Sequence, residues 1–86
     1  MQLGLGGPAF AGEPSVSGEV TKIDESAGKI TIRHGAIKNL DMEPMTMVFR
    51  VKEPAMLKAV KPGDKIKFEA DRVDGAITVI EMKPAN

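Results

Sequence analysis

The sequence predicts an all-β fold, a small five-stranded antiparallel barrel with a short helical turn between strands three and four. Five segments alternate apolar and polar residues with the period of two that a half-buried strand requires. Turn-forming residues separate these segments at short intervals, as in small all-β domains. A chain of 86 residues is long enough for one domain only.

The predicted elements follow one another between residues 16 and 84. The strands are Val16–Asp24, Lys29–His34, Met45–Val51, Lys65–Arg72 and Ala76–Met82. The turns are residues 25–28, residues 61–64 and the pair Asp74 and Gly75. Residues 35–43 form a polar connection with two apolar anchors, and residues 53–60 form the helical turn, with proline at an early position. This order matches the Greek-key OB barrel, which carries a helix at the same connection.

Residues 1–15 are predicted to be a disordered tail or linker that precedes an OB-like domain at residues 16–84. They contain four glycines and two prolines and show no periodicity. The run Ala9, Phe10 and Ala11 resembles the cleavage site of a secretory signal peptide. No basic region precedes it, and glycines interrupt any apolar core, which favours a linker over the remnant of a signal.

Composition excludes several classes of function. The chain has no cysteine, so disulfides, thiolate metal sites and cysteine nucleophiles are ruled out. Twelve basic and twelve acidic residues are interspersed, and only three residues are aromatic, so neither a phosphate-binding stripe nor a base-stacking platform is present. No apolar run approaches the roughly 18 residues of a membrane span. We therefore expect no nucleic-acid partner and no membrane insertion.

Methionine is the one enriched residue type that can carry chemistry. Of the six methionines, Met42, Met45 and Met47 fall within six residues. His34 is the last inward position of the second strand, and Met45 and Met47 are the first two inward positions of the third. If these strands pair antiparallel, the three side chains converge at one end of the barrel, with Met42 in the connection just before.

Thioether sulfur is soft and uncharged, which favours Cu(I) or Ag(I), whereas Zn(II) prefers thiolate, imidazole or carboxylate. Calcium and magnesium require several clustered oxygens, which the scattered carboxylates do not supply. The alternative is that the methionines are core filling and that His34 is structural. We assign Met56 and Met82 to the core.

The local sequence also resembles a known family. The stretch HGAIKNLDMEPMTMVFRV from His34, followed by LKAVKPGDKIKFEADRVDGAITVIEM, resembles the CusF-like family of periplasmic copper- and silver-binding proteins. The resemblance extends from about Gly18 to Met82. It rests on the His-x-Ala-Ile start, the Pro-Met-Thr-Met segment, the turn before the fourth strand and the spacing from histidine to methionine.

The resemblance implies an OB-like barrel that binds one Cu(I) or Ag(I) ion through one histidine and two methionines, here His34, Met45 and Met47. It implies a periplasmic monomer that acts as a metallochaperone, not as an enzyme. The ion would pass to a tripartite heavy-metal efflux system. The chain would be either a free protein or a domain fused to the membrane-fusion adaptor of that system.

One position departs from the family pattern. The family places a tryptophan before the Pro-x-Met segment, where its ring caps the ion through a cation–π contact. This chain has no tryptophan, and Met42 occupies the aligned position. Met42 is either a fourth thioether ligand or an apolar lid, and we predict a four-ligand site. The alternative functions are a structural or interaction domain of an efflux adaptor without metal, and an oligonucleotide- or saccharide-binding module.

Overall fold

Five strands and two short 3-10 helices form a closed barrel in the computed structural model, which describes residues 14–85. The strands are β1 (Val16–Asp24), β2 (Lys29–His34), β3 (Met45–Val51), β4 (Lys65–Val73) and β5 (Ala76–Pro84). Helix η1 (Lys38–Leu40) follows β2, and helix η2 (Pro54–Lys58) follows β3. Helix η2 is the predicted helical turn, whereas η1 was not predicted. Most of the expected tail or linker at residues 1–15 lies outside the described residues.

The strand order around the barrel is β1-β2-β3-β5-β4. Four of its five seams are antiparallel, and the β3–β5 seam is parallel. The predicted five-stranded barrel is therefore confirmed, but the expectation of a fully antiparallel sheet is wrong at this seam. The reason is topological: β4 pairs with β1 and not with β3, and the β4–β5 hairpin then returns a strand that runs in the direction of β3.

The inward positions of the strands form the core. Its largest fully buried side chains are Val20, Ile30, Ile32, Ile37, Phe49, Ile66, Phe68 and Val79. Gly18 lies between His34 and Ile66 in the strand ladders. A Cβ atom on Gly18 would lie 2.6 Å from Cγ2 of Ile32 and 3.0 Å from Cε1 of Phe68, so only glycine lets these side chains close beneath the end of the barrel.

The β4–β5 turn is the predicted two-residue hairpin. Asp74 and Gly75 both have positive φ, 53° and 81°, which a tight hairpin turn requires and which aspartate and glycine adopt at low cost. In the part of the chain that the structure describes, no helix has the length and apolar character needed to cross a membrane.

Candidate metal centre

The β2–β3 ladder brings three of the predicted ligands together. His34 is paired directly with Met45, and Met47 is paired with Ile32, the inward residue before His34. Opposite residues of an antiparallel pair direct their side chains to the same face, with Cβ atoms about 4.5–5.5 Å apart and diagonal neighbours about 7–8 Å apart. His34, Met45 and Met47 therefore share the inner face at the end of the barrel where β3 begins. We call this end the mouth.

His34 is held in one orientation with one nitrogen unused. The residue is only 3% exposed, and its Nδ1 lies 2.7 Å from the carbonyl oxygen of Gly35. Because a carbonyl only accepts, Nδ1 is the donor in this contact, and in the neutral ring the free lone pair is then on Nε2. That Nε2 is buried without a hydrogen-bond partner in the described residues. Buried polar atoms are rarely left unpaired, so this lone pair marks a position where a ligand can bind.

Two phenylalanine rings form the floor beneath His34. The imidazole centroid lies 5.4 Å from that of Phe49 and 6.3 Å from that of Phe68, both in edge-to-face geometry. The two phenylalanine rings lie 5.5 Å apart. Sequence reasoning missed this aromatic floor. Phe49 shares the inward parity of Met45 and Met47, which was the available signal, but Phe68 comes from β4 and reaches the site only when the barrel closes.

The two methionines of β3 differ in their surroundings. Met47 is half-buried and packs against the core, whereas Met45 is 48% exposed at the start of the strand. One thioether therefore faces the interior and the other is accessible from solvent. An incoming ligand can reach the site on the side of Met45.

Met42 is positioned by a small closed loop. The residue before it, Asp41, adopts a left-handed conformation (φ 56°) that ends η1 and turns the chain back. Met42 then exchanges two backbone hydrogen bonds with Ile37, each 3.0 Å long. Asn39 Nδ2 donates to the carbonyl oxygen of Ala70 at 2.9 Å and fastens the connection to β4. Met42 is half-buried against the core, in the connection that leads into β3.

Hard-metal ligands do not converge anywhere in residues 14–85. No group of three or more histidine, cysteine, aspartate or glutamate side chains is arranged to hold an ion there. The donors gathered at the mouth are one imidazole nitrogen and thioether sulfurs, which suit soft monovalent ions. Met56 and Met82 pack against the core, as predicted.

The fold and the donor set together define a small β-barrel of the kind that binds soft metal ions. The profile of the family described as "Copper binding periplasmic protein CusF" matches residues 13–84, and the chain belongs to this family. It is a family of metal-binding proteins and not of enzymes, as the sequence predicts.

A similar protein of Escherichia coli agrees with this assignment. The chain is 37% identical over 54 residues to the cation efflux system protein CusF of Escherichia coli (strain K12). The match covers 63% of this chain and 49% of the relative, so the chain spans about half the length of the curated relative it matches.

Two solved structures of Escherichia coli CusF have the same fold. The metal-free protein superposes with a TM-score of 0.66 at 26% identity, over 91% of this chain and 96% of that one. The Ag(I) form superposes with a TM-score of 0.65 at 27% identity, over 90% of this chain and all of that one.

Proposed function

We propose that this chain is a periplasmic metallochaperone that binds one Cu(I) or Ag(I) ion through His34, Met45 and Met47, with Met42 as a fourth ligand. It delivers the ion to a heavy-metal efflux system, to the membrane-fusion adaptor or another component. The observation that carries the proposal is the buried, unpartnered Nε2 of His34 directly opposite Met45 in the ladder. The Ag(I) complex of Escherichia coli CusF and the cation efflux system in that relative's description support it.

The hydrogen bond at Nδ1 prepares His34 for this role. A histidine ligand usually donates its second ring N–H to a carbonyl or carboxylate, which fixes the tautomer and the ring orientation. The carbonyl of Gly35 supplies that acceptor at 2.7 Å. An ion at Nε2 would satisfy an atom whose burial otherwise costs about 1–3 kcal/mol.

The neutral ligands and the aromatic floor favour a monovalent ion. Burying a charge beside Phe49 and Phe68 is costly, and the cost is smaller for one charge than for two. Thioethers and a neutral imidazole add no charge of their own. Because Met45 is accessible from solvent, a ligand from another protein can replace it stepwise, which suits delivery better than storage.

We assign Met42 as the fourth metal ligand because it occupies the position that aligns with the tryptophan of the family. The paired backbone of Ile37 and Met42 holds the connection close to the start of β3. A thioether at this position can coordinate directly, where an indole ring can only cover the ion.

An Ag(I) titration followed by NMR tests the proposal and includes its own control. We expect the His34 Nε2 resonance and the methyl signals of Met42, Met45 and Met47 to change until one equivalent is added. The methyl signals of Met56 and Met82 serve as internal controls and stay in place, since neither residue is on β2, on β3 or in the connection that joins them. An unchanged His34 ring, or equal changes at all five of these methionines, contradicts the proposed site.

A further inference from the structure

Strand β3 has one open edge beside the mouth. On one side it pairs with β2 along the whole stretch from Met45 to Arg50. On the other side it pairs with β5 at only two positions, Arg50 with Thr78 and Val51 with Val79. Within residues 14–85, the part of β3 that carries Met45 and Met47 therefore has no strand along its second edge.

The free backbone groups on this edge are those of Thr46 and Val48. Lys52 N–H donates to the carbonyl oxygen of Val79 at 2.9 Å, so the even-numbered residues of β3 direct their backbone groups toward β5. Thr46 and Val48 share this parity but lie beyond the last β5 pair. Pro44 has the same parity and no N–H, so the available donors end there.

The side chains on the two faces of this edge differ. Met45 and Met47 lie on the inner face, while Thr46, Val48 and Arg50 lie on the outer face. Val48 is 52% exposed. Arg50 is exposed, has no ion-pair partner in the described residues and is paired directly with Lys29, another cation. The outer face therefore has a positive charge that a carboxylate would stabilise.

We propose that the protein that accepts the ion docks on this edge as an extended segment, which adds a strand to β3 through the backbone of Thr46 and Val48. The segment carries a soft donor side chain on its inward positions and a carboxylate on an outward position near Arg50. This inference rests on the proposed function, since it names how the accepting partner reaches the same site.

Strand addition explains how transfer can occur without releasing the ion to water. Neighbouring strands lie about 4.7–4.9 Å apart, so an inward side chain of the added strand lies next to Met45 and Met47. Its donor can replace one ligand while the others hold the ion. Only four backbone groups, two from Thr46 and two from Val48, are open, so the pairing is short and suits a transient complex.

The probe is an eight-residue synthetic peptide in which methionine alternates with threonine and glutamate stands at both ends. A matched peptide replaces each methionine with norleucine, which keeps the shape and removes the donor. With the Ag(I)-loaded full chain, we expect either peptide to slow amide hydrogen exchange of Thr46 and Val48 by about tenfold or more, and to leave Phe49 unchanged. Only the methionine peptide should reverse the Ag(I)-dependent change in the NMR signal of the His34 ring.

Two pairs of variants locate the contact. Val48→Pro removes one edge N–H that the β2 ladder does not use, and Val48→Thr keeps it. We expect Val48→Pro to lower the affinity for either peptide about tenfold and to leave the Ag(I) affinity unchanged. Val48→Thr should bind both peptides like the wild type. Arg50→Glu should lower the affinity for both peptides, while Lys22→Glu on β1 should leave it unchanged. If Val48→Pro does not fold, the comparison of Arg50→Glu with Lys22→Glu tests the proposed docking edge.

Equal Ag(I) removal from wild type and Val48→Pro overturns the proposal. Slow exchange of Thr46 and Val48 in the free protein also overturns the proposal. If dilution abolishes this protection, a second copy covers the edge; if the protection persists, the edge is already covered within the chain. Failure of the proposed function is a separate result, because His34 would then not respond to Ag(I). In that case the norleucine peptide still tests the edge on the metal-free chain, and protection of Thr46 and Val48 supports it.

Discussion

Replacing His34 with phenylalanine separates metal binding from folding. The substitution keeps an aromatic ring over Phe49 and Phe68 and removes the buried Nε2 that has no partner. Removing a buried polar atom that lacks a hydrogen-bond partner stabilises the folded state by about 1–3 kcal/mol. Loss of the hydrogen bond to Gly35 destabilises it by about 0.5–1.5 kcal/mol. We therefore expect His34→Phe to lie between about 0.5 kcal/mol less stable and about 2.5 kcal/mol more stable than the metal-free wild type.

The assay is thermal unfolding with and without Ag(I). For a domain of this size, 1 kcal/mol corresponds to about 4–8 °C in Tm. A free-ion concentration 100 times Kd stabilises a binding protein by about 2.7 kcal/mol, so the wild-type Tm should rise strongly with Ag(I). His34→Phe should show no such rise. Ile30→Val in the core is the matched control: we expect it to lose about 0.5–1.5 kcal/mol of stability and to keep its response to Ag(I).

Two results would refute the reasoning. If metal-free His34→Phe is less stable than the wild type by more than about 1 kcal/mol, then the imidazole makes a favourable structural contribution that exceeds its single hydrogen bond. If the variant keeps the full Ag(I)-dependent rise in Tm, then His34 is not a ligand.

Three further outcomes are expected. Mass spectrometry should detect a 1:1 complex with Ag(I) or Cu(I) and no retained Zn(II); tight Zn(II) binding without an Ag(I) adduct contradicts the soft site. X-ray absorption of the Cu(I) form should count three sulfurs and one nitrogen, falling to two sulfurs in Met42→Leu; two sulfurs in the wild type with equal affinity would make Met42 a lid. Hydrogen bonds from the Ser26 hydroxyl and the Ala27 N–H, with nearby lysines, lower the pKa of Asp24 below its ordinary value of 3.8. Because this pKa is lowered on folding, its contribution to stability is present above pH 3.8 and is lost as the pH falls through the folded-state value. Asp24→Asn should therefore flatten the acid limb of the unfolding curve, and an unchanged limb excludes this carboxyl as its source.

The strands could be read from the sequence because their signals are local. The alternation of Ile30, Ile32 and His34 in β2 fixes which side chains point inward, whatever surrounds the strand. Asp74 and Gly75 likewise predict a two-residue turn by their own backbone preferences. The prediction of a soft ion also follows from residue chemistry, since the clustered methionines are the soft donors of a chain that has no cysteine.

Other features depend on residues that are far apart in the chain. The parallel β3–β5 seam arises because β4 crosses to β1, a choice that no single strand encodes. Helix η1 is three residues long, too short for a periodic signal. The position of Met42, the proposed fourth ligand, depends on how that connection turns back at Asp41, which the residue pattern did not predict.

The sequence alone determined the five strands, the position of the helical turn, the inward positions of His34, Met45 and Met47, and the soft character of the thioether donors. Only the tertiary structure decided that His34 is buried, that its Nδ1 is bound to Gly35 and that Phe68 from β4 lies beneath it. The physical reason is range. Strand periodicity and donor chemistry belong to neighbouring residues, whereas burial and the state of one imidazole nitrogen depend on barrel closure, which brings β4 against a residue more than thirty positions away.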